Sequence, residues 1–235
     1  MSTRTEDGVP VLLIHSGGFT SRQWRRLGAL LSPKHAVRAP DLLGYGASPW
    51  PRGKPFHFRD DLALLAAITG EASTPWHLVG HSYGGFLALK LALLHPERVR
   101  SIAVYEPVAF GVLDSPSDEE ARKALEAPGA KYVLPEEGAD ERWLSGFVDW
   151  WNGPGAWNAL PEETKAAFRA VGWKLSEEVA SLSADRTDTK TYGTITAPTL
   201  LLGGERSPMT ERRVLEKLSQ ALPSASLRIL SLIHI

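Results

Sequence analysis

The stretch HLVGHSYGGF, residues 77–86, decides how this chain is read. An apolar run, His77-Leu78-Val79, breaks at Gly80-His81-Ser82-Tyr83-Gly84 and continues into the helix-like Phe86-Leu87-Ala88-Leu89-Lys90-Leu91-Ala92. A serine with glycine two residues to either side is the pattern of a nucleophile carried on a sharp turn between a strand and a helix. Small residues are needed there because bulk at 80 or 84 would collide with the adjacent backbone. Such a serine needs a base to take its proton and an acid to orient that base. Two more groups must therefore come from elsewhere in the chain.

Upstream, VPVLLIH (9–15) is a short apolar run ending in a Gly-rich turn, the signature of a strand buried on both faces. SRQWRRLGALL (21–31) spaces its apolar residues as a helix does, with Ser21 at the cap position. HAVRAPD (35–41) reads as a second strand stopping at Pro40-Asp41, and FRDDLALLAAITG (58–70) as a second helix closed by Gly70. A third strand at 76–82 and a third helix at 84–95 follow, then a fourth strand, VRSIAVYEP (99–107). Four alternations with doubly buried strands imply an α/β fold, a parallel sheet with helices on both faces. Residues 110–190 show only helix-like segments, separated by EAPGAKYVLPEEG and WNGPGAWNALPEE. Strand character returns at APTLLLGG (197–204), followed by a helix at 210–221 and a strand at ASLRIL (225–230). The simplest organisation is a core of 1–109 and 191–235 with a helical insertion at 110–190.

Composition narrows the function. A length of 235 residues suits one large domain, or one domain with an insertion, and 43% hydrophobic and 23% charged residues are an ordinary globular composition. A formal charge of −1 gives no electrostatic reason to expect a nucleic acid partner. With no cysteine there is no disulfide framework, thiolate metal site or thiol nucleophile. MSTRTEDG at the start lacks the apolar core of a signal peptide, and no run approaches the ~20 apolar residues of a membrane span. A cytoplasmic protein acting on a small molecule, with no membrane partner, is the expectation. GYGASP lacks the third glycine of a dinucleotide turn, GGERSPMT lacks the Gly-Lys-Ser/Thr of a phosphate loop, and His77 and His81 lie on a strand and turn without a zinc-site glutamate. No cofactor and no metal are expected.

Three motifs in order, each at the end of an expected strand, resemble the α/β-hydrolase fold with a helical cap over essentially the whole chain. HSGGFTSRQW (15–24) resembles the family's His-Gly loop, with Ser16 for the usual glycine. APDLLGYGAS (39–48) resembles its Pro-Asp-x-x-Gly-x-Gly-x-Ser loop, and residues 80–84 match its nucleophile turn. The resemblance implies a mostly parallel, doubly wound sheet with an inserted cap. The usual leading antiparallel strand pair has no room before VPVLLIH. Ser82 is then the nucleophile, and the Tyr83 backbone N–H should face a developing oxyanion, with a second donor from Gly17 or Gly18.

The resemblance offers two places for the acid. In GGERSP (203–208), after the insertion, Ser207 stands where an aspartate is usual, and Glu205 and Arg206 read as a surface ion pair. In VYEP, 106 − 82 = 24 residues beyond the nucleophile, Glu106 ends a doubly buried strand. A charge buried there is costly unless paired, so Glu106 is expected to be the acid, the other reading being an ion pair with an arginine of the cap.

For the base, the resemblance points past the last core strand, usually to a Gly-His turn. His234 lies about there in LRILSLIHI, without the glycine turn or a closing helix. Residues 230–235 coincide with one reading frame of a transposon end sequence used in preparing sequencing libraries. The expectation is therefore that the native protein continues past Ile229 and His234 occupies the base's place by coincidence; the alternative is a native end with His234 as base. His15 and His81 sit beside motifs that use them structurally, and His35, His57, His77 and His95 sit at element ends.

Five of the eight tryptophans, Trp143, Trp150, Trp151, Trp157 and Trp173, fall in the insertion. About three should form its core and the rest an apolar roof over Ser82, favouring acyl or aromatic substrates. The charged stretches SDEEARK (117–123) and PEETKAAFRA (161–170) read as solvated helix faces. The function expected is a serine hydrolase of the esterase/lipase type working through an acyl-enzyme on Ser82. A ligand-binding, non-catalytic relative and a carbon–carbon bond hydrolase are the alternatives. A serine nucleophile argues against the dehalogenases and epoxide hydrolases of this fold, which attack through an aspartate.

Overall fold

The computed structural model describes residues 8–51, 53–127, 129–131 and 140–231. Its strands are β1 (Val9–Ile14), β2 (His35–Arg38), β3 (Trp76–His81), β4 (Val99–Tyr105), β5 (Thr199–Gly204) and β6 (Ala225–Leu230). Among the described residues they form one six-stranded sheet in the order β2-β1-β3-β4-β5-β6. Every neighbouring pair is parallel. Parallel neighbours require crossovers, and helices supply them: α1 (Arg25–Leu31), α2 (Phe58–Gly70), α3 (Tyr83–Leu94) and, after the insertion, α9 (Met209–Ala221). Between β4 and β5 the described elements longer than one 3₁₀ turn are α4 (Glu119–Ala124), α5 (Glu141–Asn152), α6 (Ala156–Ala159), α7 (Glu162–Ala184) and α8 (Thr189–Tyr192). The doubly wound α/β sheet with an inserted helical cap is thus the observed architecture.

Burial follows sequence character. Residues 10–14 of β1 are all buried, whereas β2, at the sheet edge, has no buried residue. Helix α3 buries nine of its twelve residues around its whole circumference, as expected of a helix that packs on the central strands under other elements. The cap has a second apolar cluster of its own: Trp143, Leu144, Val148, Trp157, Phe168 and Leu175.

Three local expectations are corrected. The helical segment at 21–31 opens with a 3₁₀ turn at Ser21, so the cap is Thr20, whose Oγ1 accepts the Arg22 N–H at 3.4 Å. Gly70 is the last residue of α2, and Glu71 follows it in right-handed conformation, so no left-handed glycine closes that helix. Asp118 in SDEEARK is not solvated. It is fully buried and takes Arg213 Nε at 2.7 Å and Lys217 Nζ at 2.9 Å, fastening the start of the cap to α9.

The crossing of α3 over β1 and β3 depends on two glycines. A Cβ at Gly84 would stand 2.2 Å from the Ile14 carbonyl oxygen, and one at Gly80 would stand 2.3 Å from the Gly84 carbonyl oxygen. Both obstacles are backbone, which cannot turn aside. Gly84→Ala should therefore lower stability by about 1–3 kcal/mol or more. Gly28→Ala in α1, whose new Cβ would meet only side-chain atoms at 3.9 Å, should raise it by up to about 1 kcal/mol. Urea midpoints of the two variants check the contrast; equal destabilisation would contradict it.

Candidate active site

Ser82 sits between β3 and α3 with φ 52° and ψ −116°, a conformation that non-glycine residues rarely adopt. Such a backbone costs about 1–3 kcal/mol and persists only where its surroundings over-determine it. Here they do. The Ser82 N–H donates to the Tyr105 carbonyl at 2.9 Å, and its own carbonyl accepts the Phe86 N–H at 2.9 Å. The hydroxyl faces a cavity of about 960 Å³ between sheet and cap. Among the described residues it has no hydrogen-bond partner.

Tyr83 opens α3, where the first N–H groups have no acceptor within the helix. Of the two glycines expected as second donor, Gly18 is already committed, because its N–H donates to the Tyr45 hydroxyl at 3.0 Å. The Gly17 N–H has no acceptor among the described residues, and Gly17 lines the cavity together with Ser82 and Tyr83. Of the two N–H groups, only that of Gly17 is left without an acceptor among the described residues. Gln23 braces the loop against the turn at 80–84, since its Oε1 accepts the Ser16 N–H at 2.9 Å and its Nε2 donates to His81 Nδ1 at 2.6 Å.

Glu106 immediately follows β4, fully buried and with φ 47°. Its N–H donates to the Leu202 carbonyl at 2.9 Å, which continues the ladder toward β5. Its Oε1 accepts the Gly204 N–H at 3.2 Å and the Ser207 hydroxyl. The two places at which an acid could stand are thus side by side, and the serine in one donates to the glutamate in the other. Glu211 of α9 is fully buried nearby, with neither carboxyl oxygen hydrogen-bonded among the described residues. Burial, then the Glu106 charge, push its carboxyl well above the usual range. Glu205 and Arg206 form no ion pair among the described residues; both are exposed, and Glu205 instead accepts the Ser231 hydroxyl at 3.0 Å.

Six of the seven histidines fall in the described residues. His15 is fixed as a neutral ring, with Nδ1 donating to the Ser16 carbonyl at 2.8 Å and Nε2 accepting the Leu42 N–H at 2.9 Å. His57 caps α2, His77 meets Ser101 Oγ at 2.6 Å, His35 lies edge-on to His77, and His95 follows α3. His234 lies outside the described residues. Of residues 230–235 only Leu230 and Ser231 are described, and Leu230 completes β6 opposite Gly204.

The cavity walls are mostly apolar. Trp150 and Trp151 line them with Phe147, Phe168 and Leu182, whereas Trp143 and Trp157 are buried in the cap's own cluster and Trp173 is half-buried away from the cavity. One group was not foreseen in the sequence. Lys174 of α7, wholly buried, bridges Asp61 of α2 at 3.3 Å and Glu178 at 2.7 Å. The signal was there: Lys174 and Glu178 are four apart on the same side of α7 as Leu175 and Leu182, an ion pair set into an apolar stripe. Burial pushes Glu178 up to about 7 despite the neighbouring Lys174 charge. Burial also raises Asp61, against the lowering effect of the same Lys174 charge.

Among the described residues no cluster of three or more His, Cys, Asp or Glu could hold a metal ion, and no helix is long and apolar enough to cross a membrane. The strand–turn–helix at Ser82, the loop at 15–18 and the helices over the cavity are the parts that define an α/β hydrolase. A model of the alpha/beta hydrolase family matches residues 11–231, and the chain belongs to that family. The match runs past Ile229 and lends no support to a break there. The chain is 34% identical to lipase LipV of Mycobacterium tuberculosis over 169 residues, 71% of this chain and 62% of the lipase. It is 36% identical to 2-hydroxymuconate semialdehyde hydrolase of a Pseudomonas species over 138 residues, 51% of this chain and 47% of that enzyme. The crystal structure of an alpha/beta hydrolase from Sphaerobacter thermophilus, 26% identical, superposes with a TM-score of 0.63 over 96% of this chain and 86% of the other.

The His15 ring gives a direct check on the loop geometry. Burial pushes its pKa down from 6.5 to about 4. A lowered histidine pKa means that the unfolded chain takes up a proton near 6.5 while the folded protein declines it. Stability is therefore full above that pH and falls, by about 3 kcal/mol for the full shift, as pH drops toward 4. In an NMR titration the His15 ring should stay neutral down to about pH 5; titration near 6.5 would show that the ring is solvated and the loop differently held.

Proposed function

We propose that the protein is a serine hydrolase acting on small carbonyl compounds, ester-like and with an apolar or aromatic acyl group. The single observation behind this reading is Ser82, held at positive φ where a strand meets a helix and facing an apolar cavity roofed by Trp150 and Trp151. In the proposed reaction Ser82 Oγ attacks the carbonyl carbon while a histidine takes the hydroxyl proton. The carbonyl oxygen becomes an oxyanion held by the backbone N–H groups of Tyr83 and Gly17. Collapse of the tetrahedral species expels the leaving group, which receives the proton from the histidine, and an acyl-enzyme remains on Ser82. Water, deprotonated by the same histidine, attacks the acyl carbon; the acyl carbon–Oγ bond then breaks, Ser82 Oγ takes that proton back from the histidine, and the acid is released.

Glu106 is proposed to orient that histidine and stabilise its charged form. Support comes from its burial at a strand end beside the post-cap loop and from the Gly204 and Ser207 donors, which favour a carboxylate at Oε1. His234 is the candidate base from the sequence. Catalysis by one cavity of this kind needs no cofactor, and an ester is the simplest substrate for it. The cavity is large enough for an aromatic acyl group.

Hydrolysis of p-nitrophenyl butyrate tests the assignment. Ser82→Ala should remove at least about 10³-fold of kcat, and Glu106→Gln about 10²–10⁴-fold, with far-UV circular dichroism unchanged. His234→Ala should fall as far as Glu106→Gln if that residue is the base. Ser207→Ala should lose less, about tenfold or under, because it removes one donor to the acid and not the acid itself. Retained activity in Ser82→Ala would overturn the reading, and a Ser207→Ala loss exceeding that of Glu106→Gln would move the acid's role to the post-cap loop.

A further inference from the structure

We propose that Lys174 is a positioning residue that couples the seating of the cap to the geometry of the oxyanion hole, an inference resting on the Ser82 reading above. Lys174 stands in the middle of cap helix α7, yet its ammonium is wholly buried in the core, 3.4 Å from the centroid of the Phe56 ring. Its two carboxylate partners each stand behind one of the two proposed oxyanion donors.

The first arm runs through Asp61. Its Oδ2 accepts the Tyr83 hydroxyl at 2.9 Å, and its Oδ1 accepts the Leu43 N–H at 2.8 Å. Tyr83 is the residue whose backbone N–H faces the oxyanion, so the far end of its side chain is fixed by a carboxylate that Lys174 neutralises. The second arm runs through Glu178. A Cβ on Gly17 would lie 2.5 Å from Glu178 Oε2, so the carboxyl fills the place of the missing side chain behind that donor. The Tyr45 phenol stands beside the Glu178 charge and accepts the N–H of the next residue, Gly18, at 3.0 Å. One ammonium from the cap thus braces both walls of the hole.

Stability alone does not explain this arrangement. Burying a lysine with two carboxyls is costly, and well-packed apolar residues commonly replace buried ion pairs without loss of stability. Apolar packing would seat the cap, but it would not fix the orientation of Tyr83 and of the 17–18 backbone. Hydrogen bonds do, and donors to an oxyanion must lie within a few tenths of an ångström of their optimum. Seating α7 would therefore complete the hole, and displacing it would loosen both donors together.

The test compares two ligands on the full chain. A trifluoromethyl ketone is attacked by Ser82 Oγ at its carbonyl carbon, the carbonyl oxygen becomes an oxyanion and the serine proton passes to the base, so its affinity reports the hole. The corresponding alcohol has no carbonyl to attack and reports the cavity alone. Lys174→Met should lower kcat and trifluoromethyl ketone affinity by about 10–100-fold each, with KM and alcohol affinity within about threefold. Tyr83→Phe and Tyr45→Phe, which delete one oxygen each and should fold normally, are expected to show the same split at about 3–10-fold and decide the matter if Lys174→Met does not fold. Equal loss of both ligands in these variants, or loss of neither, would overturn the proposal while leaving Ser82 as nucleophile. Trifluoromethyl ketone binding unchanged in Ser82→Ala would instead overturn the nucleophile reading, and the coupling with it.

Discussion

The backbone of Ser82 is the constraint on which the other features depend. Holding a serine at φ 52° and ψ −116° requires that β3 end and α3 begin within one residue. The helix then passes so close to β1 that Gly84 meets the Ile14 carbonyl directly. That proximity forces α3 into the middle of the molecule, where nine of its twelve residues are buried. It also places Tyr83, the first residue of α3, beside Ser82 on the wall of the cavity. In the proposed mechanism a nucleophile and an oxyanion donor therefore come from one local distortion, held by the Tyr105 and Phe86 backbone bonds on either side. The strain is local, and the sheet around it is regular in register from β1 to β6 apart from one irregularity at Trp76/His77.

Around this turn the protein buries an unusual set of charges. Glu106, Glu211, Asp61, Glu178 and Lys174 are all essentially inaccessible to water, and they divide into two groups. Glu106 and Glu211 lie at the β4–β5 end of the site, where the backbone N–H of Gly204 and the hydroxyl of Ser207 favour the ionised form of one and the burial of the other favours its protonated form. Asp61, Glu178 and Lys174 form a separate group, in which the Glu178 carboxyl lies against Gly17. The cap contributes more than a roof, because α7 carries both the lysine and Glu178 into the core.

Much of this was legible in the sequence. The six strands, the four helices that connect them and the insertion follow from apolar runs and helical spacing, signals strong enough that tertiary contacts reinforce them. GHSYG and the HSGG and APDLLGYG loops located the turn at Ser82, the loop at 15–18 and the loop carrying Tyr45. What was not legible depends on contacts between distant segments. Nothing near Gly18 says that its N–H will meet Tyr45, 27 residues on. SDEEARK looks solvated until Arg213 and Lys217 arrive from α9. Ser207 looked like a lost acid when read alone, and it becomes a donor to Glu106 only because β4 and β5 are neighbours. Lys174 was hidden for the same reason: charge on a helix ordinarily means solvent, and the exception needs its partners in view.

The most direct measurement is the site of covalent capture by a fluorophosphonate, in which a serine oxygen bonds to phosphorus as fluoride leaves. Peptide mass spectrometry of the treated protein should place one phosphonate on Ser82, and none should form on the Ser82→Ala protein under the same conditions. A phosphonate on a different residue, or labelling that persists without Ser82, would contradict the assignment of the strained serine as the nucleophile.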